Sequence, residues 1–153
     1  MNGVAVRRLR SLADLPLLPR VAEGVFDDSI DINAAREFLA DPRHHLVVAL
    51  DGEVIVGFVS AVHYVHPDKP QPELWINEVG VAPGRQGQGI GKAMLREMLT
   101  LGKELGCSVA WVLTDRDNAP AMRLYAGAGG EAAPQDAVMF EFDLTTNEIG
   151  QAG

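Results

Sequence analysis

This sequence predicts an α/β fold, and three observations predict it. Residues 75–81 form a short apolar run of strand length, stopped by Pro83 and Gly84 and followed by an amphipathic helix. Residues 46–50 and 54–64 are strand-like and joined at Asp51-Gly52, a strong hairpin signal. Residues 107–113 read as a further strand, parallel to 75–81 through the intervening helix. The chain has 153 residues, the size of one domain, and its 47% hydrophobic content is enough for a proper core. Residues 1–144 are expected to form that single domain, and 145–153 a flexible C-terminal tail.

Taken in order, residues 4–9 alternate apolar and charged side chains, the pattern of a first strand. Ser11 with Asp14 resembles a capping box that opens a helix over 12–25, with Pro16 and Pro19 breaking or kinking it. Phe26-Asp27-Asp28-Ser29-Ile30-Asp31 then concentrates three carboxylates. Residues 32–40 form a second short helix, with Ala35, Phe38 and Leu39 as its apolar side, ended by Asp41-Pro42. After the hairpin, the prolines of 66–72 exclude regular structure. Ile90, Met94, Met98, Leu101 and Leu105 recur at spacings of three and four, the stripe of a helix that Gly106 is placed to end. Asn118 is a good N-cap for a helix with Pro120 in its first turn, closed by Gly127, Gly129 and Gly130. Residues 137–144 read as a final strand.

The turn between 81 and 90 is where chemistry concentrates. Gly87, Gly89 and Gly91 alternate with Gln86, Gln88 and Ile90 immediately before the helix. A helix start offers unpaired N–H groups and partial positive charge, and glycines let a diphosphate approach them. Arg85 and Lys92 add formal positive charge. A glycine-rich turn that only reverses the chain is the competing reading. No Lys-Ser/Thr follows the last glycine, so this is not a nucleotide P-loop. A dinucleotide fold wants an acidic residue at a strand end about 20 residues on, and Glu104 falls within the helix.

Net charge is −8, unevenly placed: residues 85–123 carry a local +2 and the remainder −10. That split suits an anionic cofactor in one segment and a cationic partner elsewhere, although an acidic surface also simply aids solubility. Nucleic acid would want a basic face. No apolar run approaches the roughly 18 residues of a membrane span, and the N-terminus lacks a signal-peptide core, so a cytoplasmic protein is expected. The single Cys107 forms no internal disulfide and reads as a core residue. His44, His45, His63 and His66 show no metal-ligand spacing, so no metal is expected.

At these residues the sequence resembles the GNAT superfamily of acyl-CoA-dependent N-acetyltransferases. The family's pyrophosphate motif, Arg/Gln-x-x-Gly-x-Gly/Ala, is matched by Gln86, Gly89 and Gly91, preceded by Val81 and Pro83. A second family element follows in Asn118-Ala-Pro-Ala-Met-Arg-Leu-Tyr125. The resemblance implies a central mixed, mostly antiparallel sheet splayed between strands 4 and 5 and flanked by helices. It implies acetyl-CoA as cofactor, contacted by Val79, Gly80, Val81, Gln86, Gly87, Gln88, Gly89, Ile90, Gly91, Lys92, Asn118 and Ala121. Homodimers are common in the family, and the apolar C-terminal strand is a candidate surface for one. Gly80, inside an apolar strand, signals a bulge or a close backbone approach; in the family strand 4 is bulged to make the cofactor slot.

N-acetylation needs a neutral amine to attack a thioester carbonyl, and an alkyl amine is mostly protonated at neutral pH. Glu78, on the strand that enters the glycine turn, is the candidate general base, with binding of the substrate ammonium as the competing role. Tyr125 stands at the family's general-acid position, with core packing as its competing role. The Val79 or Val81 N–H is the candidate oxyanion donor.

A closer resemblance is to the type I aminoglycoside 3-N-acetyltransferases, in Asp27-Asp-Ser-Ile-Asp31, Trp75-Ile-Asn-Glu-Val-Gly-Val81 and Val138-Met-Phe-Glu-Phe-Asp143. It implies an acidic cleft for a polycationic amine, with Asp27, Asp28, Asp31, Glu78, Asp115, Asp117, Glu141 and Asp143 as candidate ligands. That branch carries Asp where this chain has Glu78. A GNAT enzyme for another cationic amine, such as a polyamine or a protein amine, and a non-catalytic acyl-CoA-binding module are the alternatives.

Overall fold

The computed structural model describes residues 3–133 and 136–146. Five strands form one sheet in sequence order: β1 (Val4–Leu9), β2 (His44–Asp51), β3 (Val54–Tyr64), β4 (Glu73–Val81) and β5 (Ala110–Val112). β1 to β4 pair antiparallel, and β4 and β5 pair parallel. The hairpin turns where expected, with Asp51 opposite Val54 and Gly52 at φ 60°.

Three α-helices flank the sheet: α1 (Ile32–Ala40), α2 (Ile90–Glu104) and α3 (Ala119–Gly127). α2 buries Ile90, Met94, Leu95 and Met98 against a core that includes Val47, Val59 and Leu74, all nearly inaccessible to solvent. Burying side chains of this size is worth roughly 1.5–3 kcal/mol each. Arg8 of β1 ties the sheet to α2 through Glu97 at 2.6 Å and Glu104 at 2.5 Å. Gly106 ends the helix at φ 80°, as expected. Among the described residues no helix is long and apolar enough to cross a membrane.

Three expectations are corrected. The helix over 12–25 reduces to a 3₁₀ turn at Leu12–Leu17. Pro16 and Pro19 remove helical donors, and the chain extends so that Val21 bridges to Ile55. Ser11 does cap that turn, accepting from the Ala13 N–H at 3.3 Å. Asp14 does not return the bond. Its carboxylate accepts from the Arg10 N–H at 2.8 Å and pairs with Arg7 at 2.5 Å.

The second correction concerns β5, which spans three residues rather than 107–113. It pairs only with Leu74, Trp75 and Ile76. Ser60 stands opposite Glu78 while Ala61 stands opposite Ile76, so Asn77 is an extra residue in β4. A bulge bends its strand; β4 runs on to Val81 beyond the end of β5, leaving the expected splay.

The third is the C-terminal strand. Residues 137–144 join no strand, and Val138, Phe140, Phe142 and Leu144 are 74–80% exposed. Their period-two pattern fits a strand, but a strand forms only where a neighbour takes its backbone hydrogen bonds. The predicted tail beyond residue 146 lies outside the described residues.

Candidate active site

The site has two sides that meet at β4. On one side, Val81 leads through a single 3₁₀ turn at Pro83–Arg85 into the glycines. Gly89 is the N-cap of α2 with φ 80°, a left-handed conformation that favours glycine, and it brings no side chain to the helix end. The earliest N–H of α2 bonded back to the chain is that of Ala93, to Gly89 O at 3.1 Å. The N–H groups of Ile90, Gly91 and Lys92 precede it and point out of the helix end. Gly87 and Gly89 are exposed, with open space where a side chain would stand. Unpaired N–H groups, the positive end of a 15-residue helix and open glycines fit a diphosphate.

The neighbouring side chains are more occupied than the sequence suggested. Arg85 is paired with Asp51 of the hairpin. Gln86 donates from Nε2 to Val81 O at 3.3 Å, bracing the turn against β4, while Gln88 is exposed. Lys92 Nζ lies 3.8 Å from where a Gly127 side chain would begin, at the carboxyl end of α3. Asn118 Oδ1 caps α3 by accepting from the Ala121 N–H at 3.2 Å. Tyr125 of α3 packs against the core cluster, and burial pushes its phenol above its ordinary value.

The gap beyond β5 exposes part of the β4 backbone. Ala82 N–H donates to Val56 O at 2.9 Å, so Ala82 faces β3. Hydrogen bonding alternates along an antiparallel strand, so the Val81 and Val79 N–H groups turn to the opposite edge, where β5 has ended. The Val81 carbonyl that receives Gln86 points the same way.

On the other side of β4 lies a cavity of about 440 Å³. Asp27, Asp28, Asp31 and Glu78 all line it, with Ser60 and Asn77. Phe26 stacks on Phe58 of β3, centroids 3.9 Å apart, which pins the acidic segment to the sheet. Asp31 Oδ1 is the N-cap of α1, accepting from Asn33 and Ala34 N–H at 2.9 and 3.0 Å. Asp27 and Asp28 are exposed at the cavity mouth. Glu78 is exposed on the cavity wall rather than enclosed by its apolar neighbours. Ile76 is buried on the α2 face, and simple alternation would turn Glu78 to that face too; the extra residue Asn77 turns it into the cavity. Gly80 is required by a close approach: a Cβ there would stand 2.3 Å from Val25 O and 2.7 Å from the Phe58 ring.

Four predicted acidic ligands do not line the cavity. Asp115 and Asp117 are exposed in the turn between β5 and α3. Glu141 and Asp143 lie on the segment outside the sheet, where Asp143 accepts from Thr145 N–H at 2.9 Å. Asn77, Ser60 and the Phe26–Phe58 anchor were not singled out from the sequence. Two consecutive polar residues, Asn77-Glu78, inside an apolar strand are the signal of a bulge that could have revealed the first.

The acetyltransferase (GNAT) family matches this chain over residues 8–129. Streptothricin acetyltransferase of Streptomyces lavendulae is 29% identical over 147 residues, 96% of this chain and 73% of that protein. N-alpha-acetyltransferase RimI of Mycobacterium tuberculosis is 32% identical over 105 residues, 69% of this chain and 63% of that protein. An aminoglycoside acetyltransferase from an uncultured soil metagenomic sample, solved in complex with sisomicin, superposes with a TM-score of 0.79 at 25% identity, covering 94% of this chain and 97% of that one. With the cradle and the splayed sheet in place, the chain belongs to the GNAT family of acetyltransferases, whose acyl donor is acetyl-CoA.

Proposed function

We propose that this protein transfers the acetyl group of acetyl-CoA to an amine of a polycationic small molecule, with the 3-amino group of an aminoglycoside as the acceptor best supported by the sequence resemblance. The observation that carries the reading is the position of Glu78. It stands on β4 between a cavity lined by Asp27, Asp28 and Asp31 and the strand end that enters the glycine turn. A cavity of this size and acidity suits part of an acceptor bearing several ammonium groups. The solved relative bound to sisomicin is consistent with that class.

Bound acetyl-CoA supplies an activated thioester carbonyl. The N–H groups of Ile90, Gly91 and Lys92 would hold its diphosphate, and the gap beside Val79 and Val81 would receive its pantetheine arm. Glu78 takes the proton of the attacking amine, directly or through water, at its carboxylate. The Val79 or Val81 N–H faces the negative charge that develops on the carbonyl oxygen. Tyr125, whose phenol is protonated at neutral pH, would give its proton to the departing sulfur. Asp27 and Asp28 bind the remaining ammonium groups.

A second reading, acetylation of streptothricin, is favoured by the relative of that name, which matches 96% of this chain. The test is CoA release from acetyl-CoA with gentamicin, sisomicin, kanamycin, streptothricin, spermidine and a lysine peptide. Turnover with gentamicin or sisomicin, falling about 100-fold in Glu78→Gln at pH 8, is expected. A loss below about threefold removes the base role. Turnover with streptothricin alone establishes the second reading. Turnover with none of them, beside tight acetyl-CoA binding, leaves only the donor half.

A further inference from the structure

The cavity face of the sheet continues past Asn77 into an aromatic cluster that the proposed reaction does not use. Trp75 of β4 and Trp111 of β5 are register partners, stacked with centroids 5.0 Å apart and planes 5° from parallel. Trp111 Nε1–H donates to Tyr64 Oη at 2.6 Å. The Tyr64 ring stands edge-on to His66, at 5.3 Å and 72°. His66 is hydrogen-bonded to Glu73, and Lys69 lies 3.7 Å from the same carboxylate. The His66 contact lowers the Glu73 pKa, so a negative charge stands beside the rings at neutral pH.

Strand register places this cluster on the cavity side. Trp75 is opposite Val62 and Val62 is opposite His44. His44 precedes by two residues Leu46, which lines the cavity, and residues two apart share a face. Trp75 is likewise two residues from Asn77, about 7 Å along the strand. Both tryptophans remain only half-buried, although large aromatic side chains usually find cover. Two parallel indoles stacked on each other on an open sheet face, the Trp111 ring fixed by its hydrogen bond to Tyr64, make a rigid pair whose outer π-face lies at the edge strand. The π-face of an indole attracts a cation and packs against the C–H face of a saturated ring.

We propose that Trp75 and Trp111 form a second acceptor subsite, which receives an amine-bearing ring of a multi-ring cationic substrate while another of its amines lies at Glu78. A substrate held this way is gripped at both ends of β4, by the carboxylates of Asp27 and Asp28 and by the indole pair beside Glu73. The subsite rests on the proposal of a cationic acceptor and deepens it.

The experiment compares KM values of the full chain and its variants for three substrates: sisomicin, the single-ring diamine deoxystreptamine and acetyl-CoA. Trp111→Ala is expected to raise the sisomicin KM about tenfold. It should leave the KM values for the single-ring diamine and for acetyl-CoA within about twofold, because a single ring at Glu78 does not reach the indoles. Trp111→Phe should recover most of the loss by restoring an aromatic face. Trp75→Ala, read the same way, serves if Trp111→Ala does not fold. An unchanged sisomicin KM, or equal increases for one-ring and multi-ring amines, overturns the subsite while the acceptor proposal stands. An altered oligomeric state with unchanged KM overturns it in favour of contact between copies. Absence of turnover with every cationic amine in the unmodified enzyme overturns the acceptor proposal and the subsite together.

Discussion

The phosphate cradle of the proposed donor side is one continuous stretch, residues 79–92, whereas the proposed acceptor cavity assembles residues 26–31, Ala34 and Ala35 with Leu46, Phe58, Ser60, Asn77 and Glu78. In the proposed reading the cradle works through backbone groups: the unpaired N–H groups of α2 and the outward N–H groups of Val79 and Val81. In the same reading the acceptor side works through side chains, and three aspartates and a glutamate line its cavity. A backbone cradle needs only a local order of strand, glycine turn and helix. A side-chain cavity needs distant segments in register. The difference implies that substitutions should separate the two sides kinetically, except where they touch.

They touch at Gly80. Its backbone belongs to the donor strand, and its missing side chain leaves room for Val25 O and the Phe58 ring on the acceptor side. Gly80→Ala is expected to have the largest effect. The neighbour on one side is backbone and cannot rotate away, so the cost is about 2–3 kcal/mol, a Tm fall of roughly 4–12 °C for a chain of this size. Calorimetry checks this, and KM should rise for acetyl-CoA and acceptor alike. A stable Gly80→Ala protein with one KM unchanged would break the picture of a shared wall.

Next in size is Gly89→Ala, which tests the donor side alone. The left-handed φ of 80° is strained for alanine, by about 1 kcal/mol, and relief of that strain rotates the N–H groups away from the phosphates. The KM for acetyl-CoA should rise about tenfold, with acceptor KM within about twofold. Equal changes in both would show that the two sides are coupled through α2.

The smallest effect belongs to the acceptor side. Asp27→Asn and Asp28→Asn each remove one exposed carboxylate from the cavity. Each is expected to raise acceptor KM by about three- to fivefold at low ionic strength, and by less at high salt, because exposed charges are screened. Acetyl-CoA KM should not move. A salt-independent loss would point to a folding defect in the segment anchored by Phe26.

The two sides are unequally legible in the sequence because one rests on short-range order and the other on tertiary contacts. The stripe Ile90, Met94, Met98 and Leu101 appears in α2 as expected, buried against the sheet. Asn118 caps α3 as its residue type suggests. These are short-range properties, decided by hydrogen bonds and side-chain spacing within a turn or two. The segment 137–144 carries an equally clear alternation and yet joins no strand, because the alternation specifies faces and not a partner. Asp27, Asp28 and Asp31 could be singled out as acids, and so could Asp115, Asp117, Glu141 and Asp143. Only the stacking of Phe26 on Phe58 and the capping of α1 by Asp31 brought the first group to Glu78.

From the order of residues 75–105 alone follow the strand, the left-handed glycine turn, the helix and hence a place for a diphosphate, since each depends on backbone geometry within a few residues. The direction in which Glu78 points does not follow from it. That was decided when β3 paired with β4 and left Asn77 without a partner, because one unpaired residue reverses every later side chain across the sheet.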